Sequence, residues 1–232
     1  MKARIVVLEA PALAVELAAW LAGRIAAAMA ARGRCALALP GGSSPGPALR
    51  ALGAAPLGTP VDWARVDVYF GDERAVPPED KDSNYRMVAE SLLARLSVKP
   101  RVHRMEADRA DLERAAADYA RILPAQLDVL LLGMGPDGHT ASLFPGSAAL
   151  QETRWVVNVV APKPPPVRLT ITPPVIAAAR EVAVLATGAE KADAVRRALE
   201  GPPRAREVPV QLAARGVWFL DPAAASRLER RP

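Results

Sequence analysis

Cysteine occurs once in 232 residues, histidine twice and lysine five times, and aromatic residues make up only 4% of the chain. Each scarcity excludes something. One cysteine allows neither an internal disulfide nor a cysteine-rich zinc site, and it fits a reducing cytoplasm. Cys35 itself lies in an apolar run and reads as a small core residue. So few aromatics, with scattered arginines, form no base-stacking surface, so the net charge of +5 does not point to nucleic acid. It fits an anionic small substrate. No signal-peptide pattern is present. The Ala-rich residues 11–32 carry Glu16 and Arg24, which makes them a soluble helix and not a membrane span. No repeat or linker divides the chain, and 51% hydrophobic residues support one domain over 1–232.

What the chain does carry is concentrated in residues 127–146, LDVLLLGMGPDGHTASLFPG. Residues 127–132 are apolar except for Asp128. Glycines follow at once, which marks a buried strand of a parallel sheet. Gly133 and Gly135 let the backbone turn, and Pro136 cannot extend the ladder. Asp137 and His139 come next, two residues apart. Such a strand end lifts an imidazole to the carboxyl edge of the sheet, where open α/β folds bind ligands. The neighbouring carboxylate can hold the ring in one tautomer. The alternative is a histidine that only satisfies loop backbone. The Gly-Asp-Gly setting favours the catalytic reading.

Further strands are expected at 4–8, Cys35–Leu39, Val66–Phe70, 102–105, 155–160, 167–172, 182–186 and Val217–Leu220. Helical spacing runs through 11–32, up to Leu52 after Pro45, and through 83–96, 111–122, 173–180 and 189–199. This alternation predicts an α/β three-layer sandwich with a Rossmann-like, mostly parallel sheet. The turn Gly41-Gly42-Ser43-Ser44, between a strand and a helix, is either an anion site or a plain turn with a serine cap. It lacks the P-loop lysine and the dinucleotide glycine spacing. Gly71-Asp72-Glu73-Arg74 reads locally as a solvated loop, and residues 162–166 as a proline-rich surface loop. Arg168 opens a strand, where arginines are usually at the surface. Lys191 lies in a first helical turn, where a cation opposes the macrodipole unless an anion shares that helix end. His103 reads as structural.

Four stretches taken together resemble one family: LPGGSSP (39–45), GDERAVP (71–77) with SNYRM (83–87), GMGPDGHTASLFPG (133–146), and RLTIT (168–172) with TGAEK (187–191). They are similar to the 6-phosphogluconolactonases of the glucosamine-6-phosphate isomerase/6-phosphogluconolactonase superfamily. The resemblance covers nearly the whole chain, in order; Ser44 stands where the family often has Thr. It implies hydrolysis of a sugar-phosphate lactone in the cytoplasm, without metal or cofactor, by a monomer or small homo-oligomer that needs neither nucleic acid nor membrane. His139 is then the base, oriented by Asp137. Arg168, Lys191 and the Gly41, Gly42, Ser43, Ser44 loop take the phosphate. Asp72 bonds sugar hydroxyls, and Arg74 is a second anion contact or an internal salt-bridge partner. The related deaminases carry an acidic residue five positions after the histidine; here Phe144 stands there, against deamination. A sugar-phosphate-sensing module of the same fold is expected to come with a helix-turn-helix, for which no segment is free.

Overall fold

The computed structural model describes residues 3–54 and 59–229. Seven strands form the main sheet: β1 (Arg4–Val7), β2 (Cys35–Leu39), β3 (Val66–Phe70), β5 (Arg101–Val102), β6 (Val129–Gly133), β9 (Glu181–Ala186) and β10 (Val217–Leu220). Every pairing is parallel, in the order β1-β10-β9-β6-β2-β3-β5. A separate antiparallel sheet, in the order β4-β8-β7, holds β4 (Asp72–Arg74), β7 (Val156–Val160) and β8 (Val167–Ile171). The helices are α1 (Ala10–Arg32), α2 (Gly46–Ala54), α3 (Asn84–Ser91), α4 (Leu112–Ile122), α5 (Pro173–Ala178) and α6 (Ala192–Leu199).

Central strands of such a sheet are covered on both faces, so they are apolar without alternation. The four residues Val129, Leu130, Leu131 and Leu132 are all buried. Helix α1 is long and apolar enough, by length and composition, to cross a membrane. Its stripe of Leu13, Leu17, Leu21 and Ile25, at four-residue spacing, belongs to the hydrophobic core and packs toward α2 and β2. Each fully buried leucine contributes about 1.5–3 kcal/mol. Gly33 ends the helix at φ 80°, and its N–H bonds the Met29 carbonyl at 2.8 Å.

Several expectations are corrected here. The charged run after Gly71 is a buried strand, β4, and not a solvated loop: Asp72 and Glu73 are both buried. It can be buried because Glu73 accepts bonds from the backbone N–H groups of Arg74, Asn84 and Tyr85 and from the Ser83 hydroxyl. The helix expected over 83–96 stops at Ser91, and a 3-10 turn, Leu93–Arg95, follows. The strand expected at 102–105 is only Arg101–Val102. Strands β7 and β8 lie outside the main sheet.

Strands β2, β3, β6 and β9 all point their carboxyl ends to one edge. From β2 the chain proceeds outward through β3 and β5, whereas from β6 it proceeds the other way through β9 and β10. The β2–β6 junction is therefore the topological switch point, and a crevice opens there.

Candidate active site

The turn after β6 is built to present His139. The Gly135 N–H donates to the His139 carbonyl at 2.9 Å, and the Gly138 N–H to the Gly135 carbonyl at 3.0 Å, with Gly138 at φ 85°. A side chain at Gly135 would overlap the imidazole, so only glycine lets the ring lie there. His139 Nδ1 donates to Asp137 Oδ1, which also accepts the His139 backbone N–H at 3.2 Å. Burial pushes the Asp137 carboxyl up, but the His139 bonds and charge outweigh it, with Lys163 adding to them, and hold it down to about 2. An ionised Asp137 keeps the proton on Nδ1. In the neutral ring the lone pair then lies on Nε2, which has no partner among the described residues.

His139 lines a cleft of about 210 Å³ at the switch point. The same cleft is lined by Gly41, Gly42, Ser43, Ser44, Asp72, Arg74, Arg168 and Lys191, so the structure brings the expected site residues together, with Asp137 behind the imidazole. Register explains part of this. Arg74 of β4 lies opposite Arg168 of β8, and Asp72 opposite Thr170. Like charges facing across a ladder repel, which an anion between them relieves. Arg168 is only 3% exposed. Burial pushes its guanidinium below the usual range; Asp72 opposes this and Arg74 adds to it.

The remaining groups are held by one network. Ser142 Oγ donates to Asp72 Oδ2 at 2.6 Å, and Asn84 Nδ2 donates to Asp72 Oδ1 at 2.9 Å. The Asn84 side chain occupies the space that a Cβ on Gly41 would need, so Gly41 is glycine for packing. Gly42, at φ 84°, is glycine for its backbone. Ser44 Oγ lies 2.9 Å from Thr187 Oγ1 and bridges the loops after β2 and β9. Arg74 forms no salt bridge among the described residues; it donates to the Asp82 carbonyl, and its buried Nε is left without a partner. Lys191 stands at the cap of α6, just before its first turn.

A family model described as glucosamine-6-phosphate isomerases/6-phosphogluconolactonase matches residues 9–219. The chain belongs to this family. It is 42% identical to the 6-phosphogluconolactonase of Streptomyces coelicolor over 92% of this chain and 89% of that one. It superposes on the 6-phosphogluconolactonase of Trypanosoma brucei with a TM-score of 0.84 at 30% identity, covering 98% of this chain and 99% of that one. A monomeric glucosamine-6-phosphate deaminase gives the same TM-score, 0.84, at 21% identity over 97% and 99%. That last likeness concerns the fold alone. The fold of the isomerase/lactonase family therefore does not separate the two chemistries, and side chains must.

Two side chains in this member of the family matter for that reason. Phe144 stacks on the His139 ring, with centroids 4.5 Å apart and planes at 28°. It puts an apolar face against the imidazole. Lys163, in the proline-rich loop expected at the surface, lines the cleft with its Nζ 5.6 Å from the Phe144 centroid. Its only sequence signal was a lysine set among prolines. Arg168 makes the difference: its Nε donates to the Pro165 carbonyl at 2.9 Å and its Nη2 to the Lys163 carbonyl at 3.4 Å, which folds the loop inward. Burial pushes the Lys163 ammonium down; Asp137 opposes this, and Arg168, Lys191 and Arg74 reinforce it.

Proposed function

We propose that this cleft hydrolyses 6-phospho-D-glucono-1,5-lactone to 6-phospho-D-gluconate, the lactone step of the oxidative pentose phosphate pathway. The observation that carries the reading is the His139–Asp137 pair, with Nε2 unpartnered, in one cleft with Arg74, Lys163, Arg168 and Lys191. Neutral Nε2 takes a proton from water as the water attacks C1. The tetrahedral oxyanion that forms is met by backbone N–H groups of the glycine-rich loops. The imidazolium, stabilised by ionised Asp137, then gives its proton to the departing ring oxygen. No covalent intermediate is needed.

The phosphate is anchored by cations. Lys191 and the Ser43–Ser44 turn take it as donors, with Arg74 beside them. Arg168 spends one N–H each on Ser142, Pro165 and Lys163, which leaves two of its five donors for the ligand. Asp72, fixed by Ser142 and Asn84, presents its remaining lone pairs to sugar hydroxyls. Lys191→Ala should raise KM strongly.

A coupled assay with freshly generated lactone, corrected for spontaneous opening, tests this. His139→Gln keeps size and polarity but cannot shuttle the proton, so corrected turnover should fall roughly 10²–10⁴-fold while 6-phosphogluconate still binds. Full turnover in a folded His139→Gln variant, or ammonia release from glucosamine 6-phosphate by the unmodified protein, would sink the reading.

A further inference from the structure

On the opposite edge of the main sheet, where the chain enters β2, β6 and β9, lies a second cleft of about 360 Å³. Arg32, Arg34, Arg180, Tyr69, Asp67 and Asp128 line it. Every carboxylate oxygen there is already engaged. Asp128 Oδ1 accepts from Arg32 Nε at 2.6 Å and lies 3.6 Å from Arg180 Nε, while Oδ2 accepts the Ala36 N–H at 2.8 Å. Asp67 Oδ2 accepts from Arg34 Nε at 2.9 Å. Its Oδ1 meets His103 Nε2 at 3.1 Å and Arg101 Nη1 at 3.3 Å. His103 also stacks on Tyr69, with ring centroids 4.5 Å apart.

What remains open are donors. Arg32, Arg34 and Arg180 each meet their carboxylate through Nε, and their Nη groups make no hydrogen bond among the described residues. The Tyr69 hydroxyl has no hydrogen-bond partner among the described residues either, although the residue is only 6% exposed. Burial first and Asp67 next push that phenol up, against Arg101 and Arg34, so it stays a donor. Four guanidinium groups serve two carboxylates, so the cluster keeps a positive excess. Cys35 offers no anion of its own, because burial, then Asp128, push its thiol up to about 12.

We propose that this amino-edge cleft binds a small phosphate-bearing anion, with the Tyr69 hydroxyl and the free Nη groups of Arg32, Arg34 and Arg180 as its donors. Guanidinium forks match phosphate oxygens, and the two carboxylates that line the cleft are already neutralised by their own partners. The site is separate from the catalytic cleft and shares no lining residue with it.

Inorganic phosphate and glycerol 3-phosphate are titrated separately into 15N-labelled protein, with sodium chloride at matched ionic strength as control. The expected result is a saturable shift of the Ala36 and Gln126 amides. Tyr69→Phe and Arg34→Gln should each weaken that binding roughly tenfold or more, with lactone turnover unchanged. Tyr69→Phe removes a hydroxyl that bonds nothing among the described residues, so it keeps the fold even if Arg34→Gln does not. Lys191→Ala should alter only the response of Gly42 and Thr187. Tighter binding of glycerol 3-phosphate assigns the site to organic phosphates, and equal or weaker binding assigns it to the phosphate ion; both uphold it. No saturable shift at Ala36 and Gln126, the same shift with chloride, or a shift indifferent to Tyr69→Phe overturns it.

Discussion

In the proposed mechanism Asp137 acts on the reaction only through His139: its carboxylate holds Nδ1–H and leaves Nε2 to serve as the base. Asp137→Asn keeps the shape but lets an amide N–H face the ring, which favours the wrong tautomer. Corrected kcat should fall roughly 10²-fold with KM nearly unchanged; a KM effect alone would place Asp137 in binding instead. The same carboxylate has a pH signature. Its folded value, about 2, lies below the ordinary 3.8. A depressed acid stabilises the fold fully above the unfolded value, and that contribution is lost as pH falls from about 4 toward 2. The side chain is 40% exposed, so solvent screening holds the effect below about 1 kcal/mol. Melting temperatures across that window should therefore fall slightly more in the parent than in Asp137→Asn, and parallel curves would refute the assignment. Residues of this kind were legible because a Gly-rich strand end advertises its polar groups. Lys163 was not, since what brings it inward is a pair of hydrogen bonds from Arg168, made across a hairpin that the sequence does not display.

Elements were legible to the extent that their burial is local. Cys35–Leu39, Val66–Phe70 and Val217–Leu220 stand as read, because each is a short run, apolar apart from Asp67, between clear stops. Strand β4 was hidden, because Asp-Glu-Arg is a strand only when Glu73 caps the start of α3 and Asp72 finds Ser142 and Asn84. The turn after β6 gives the sharper test of element against site. Gly135→Ala leaves the strand intact yet drives a methyl into the imidazole. Turnover should drop roughly 10-fold or more, while the melting temperature changes by only a few degrees. If turnover survives, the ring position is not set by this turn. Ala141, at φ 47°, is the strained point of the segment. It sits where the chain folds back to place Ser142 under Asp72.

At the scale of the molecule, the parallel order of the main sheet followed from alternating strands and helices, but its division from the three-stranded sheet did not. Gly71 alone separates β3 from β4, and a change of sheet over one glycine has no hydrophobic period to reveal it. The charge of the whole was plain from composition: the chain carries +5, and the cleft at the switch point gathers Arg74, Lys163, Arg168 and Lys191 against Asp72, with Asp137 behind His139. A field of that sign speeds the encounter with a phosphorylated lactone and is screened beyond about 10 Å at 0.1 M salt. Raising sodium chloride should therefore lower kcat/KM for the phosphorylated lactone and leave kcat almost unmoved at saturation. Glucono-1,5-lactone, which has no phosphate, is the control. Its slower turnover should hold steady over the same salt range, because a neutral ligand is not steered. A salt response equal for both lactones would mean that ions act on the protein itself, and the four cations would then have no demonstrated part in capturing the phosphate.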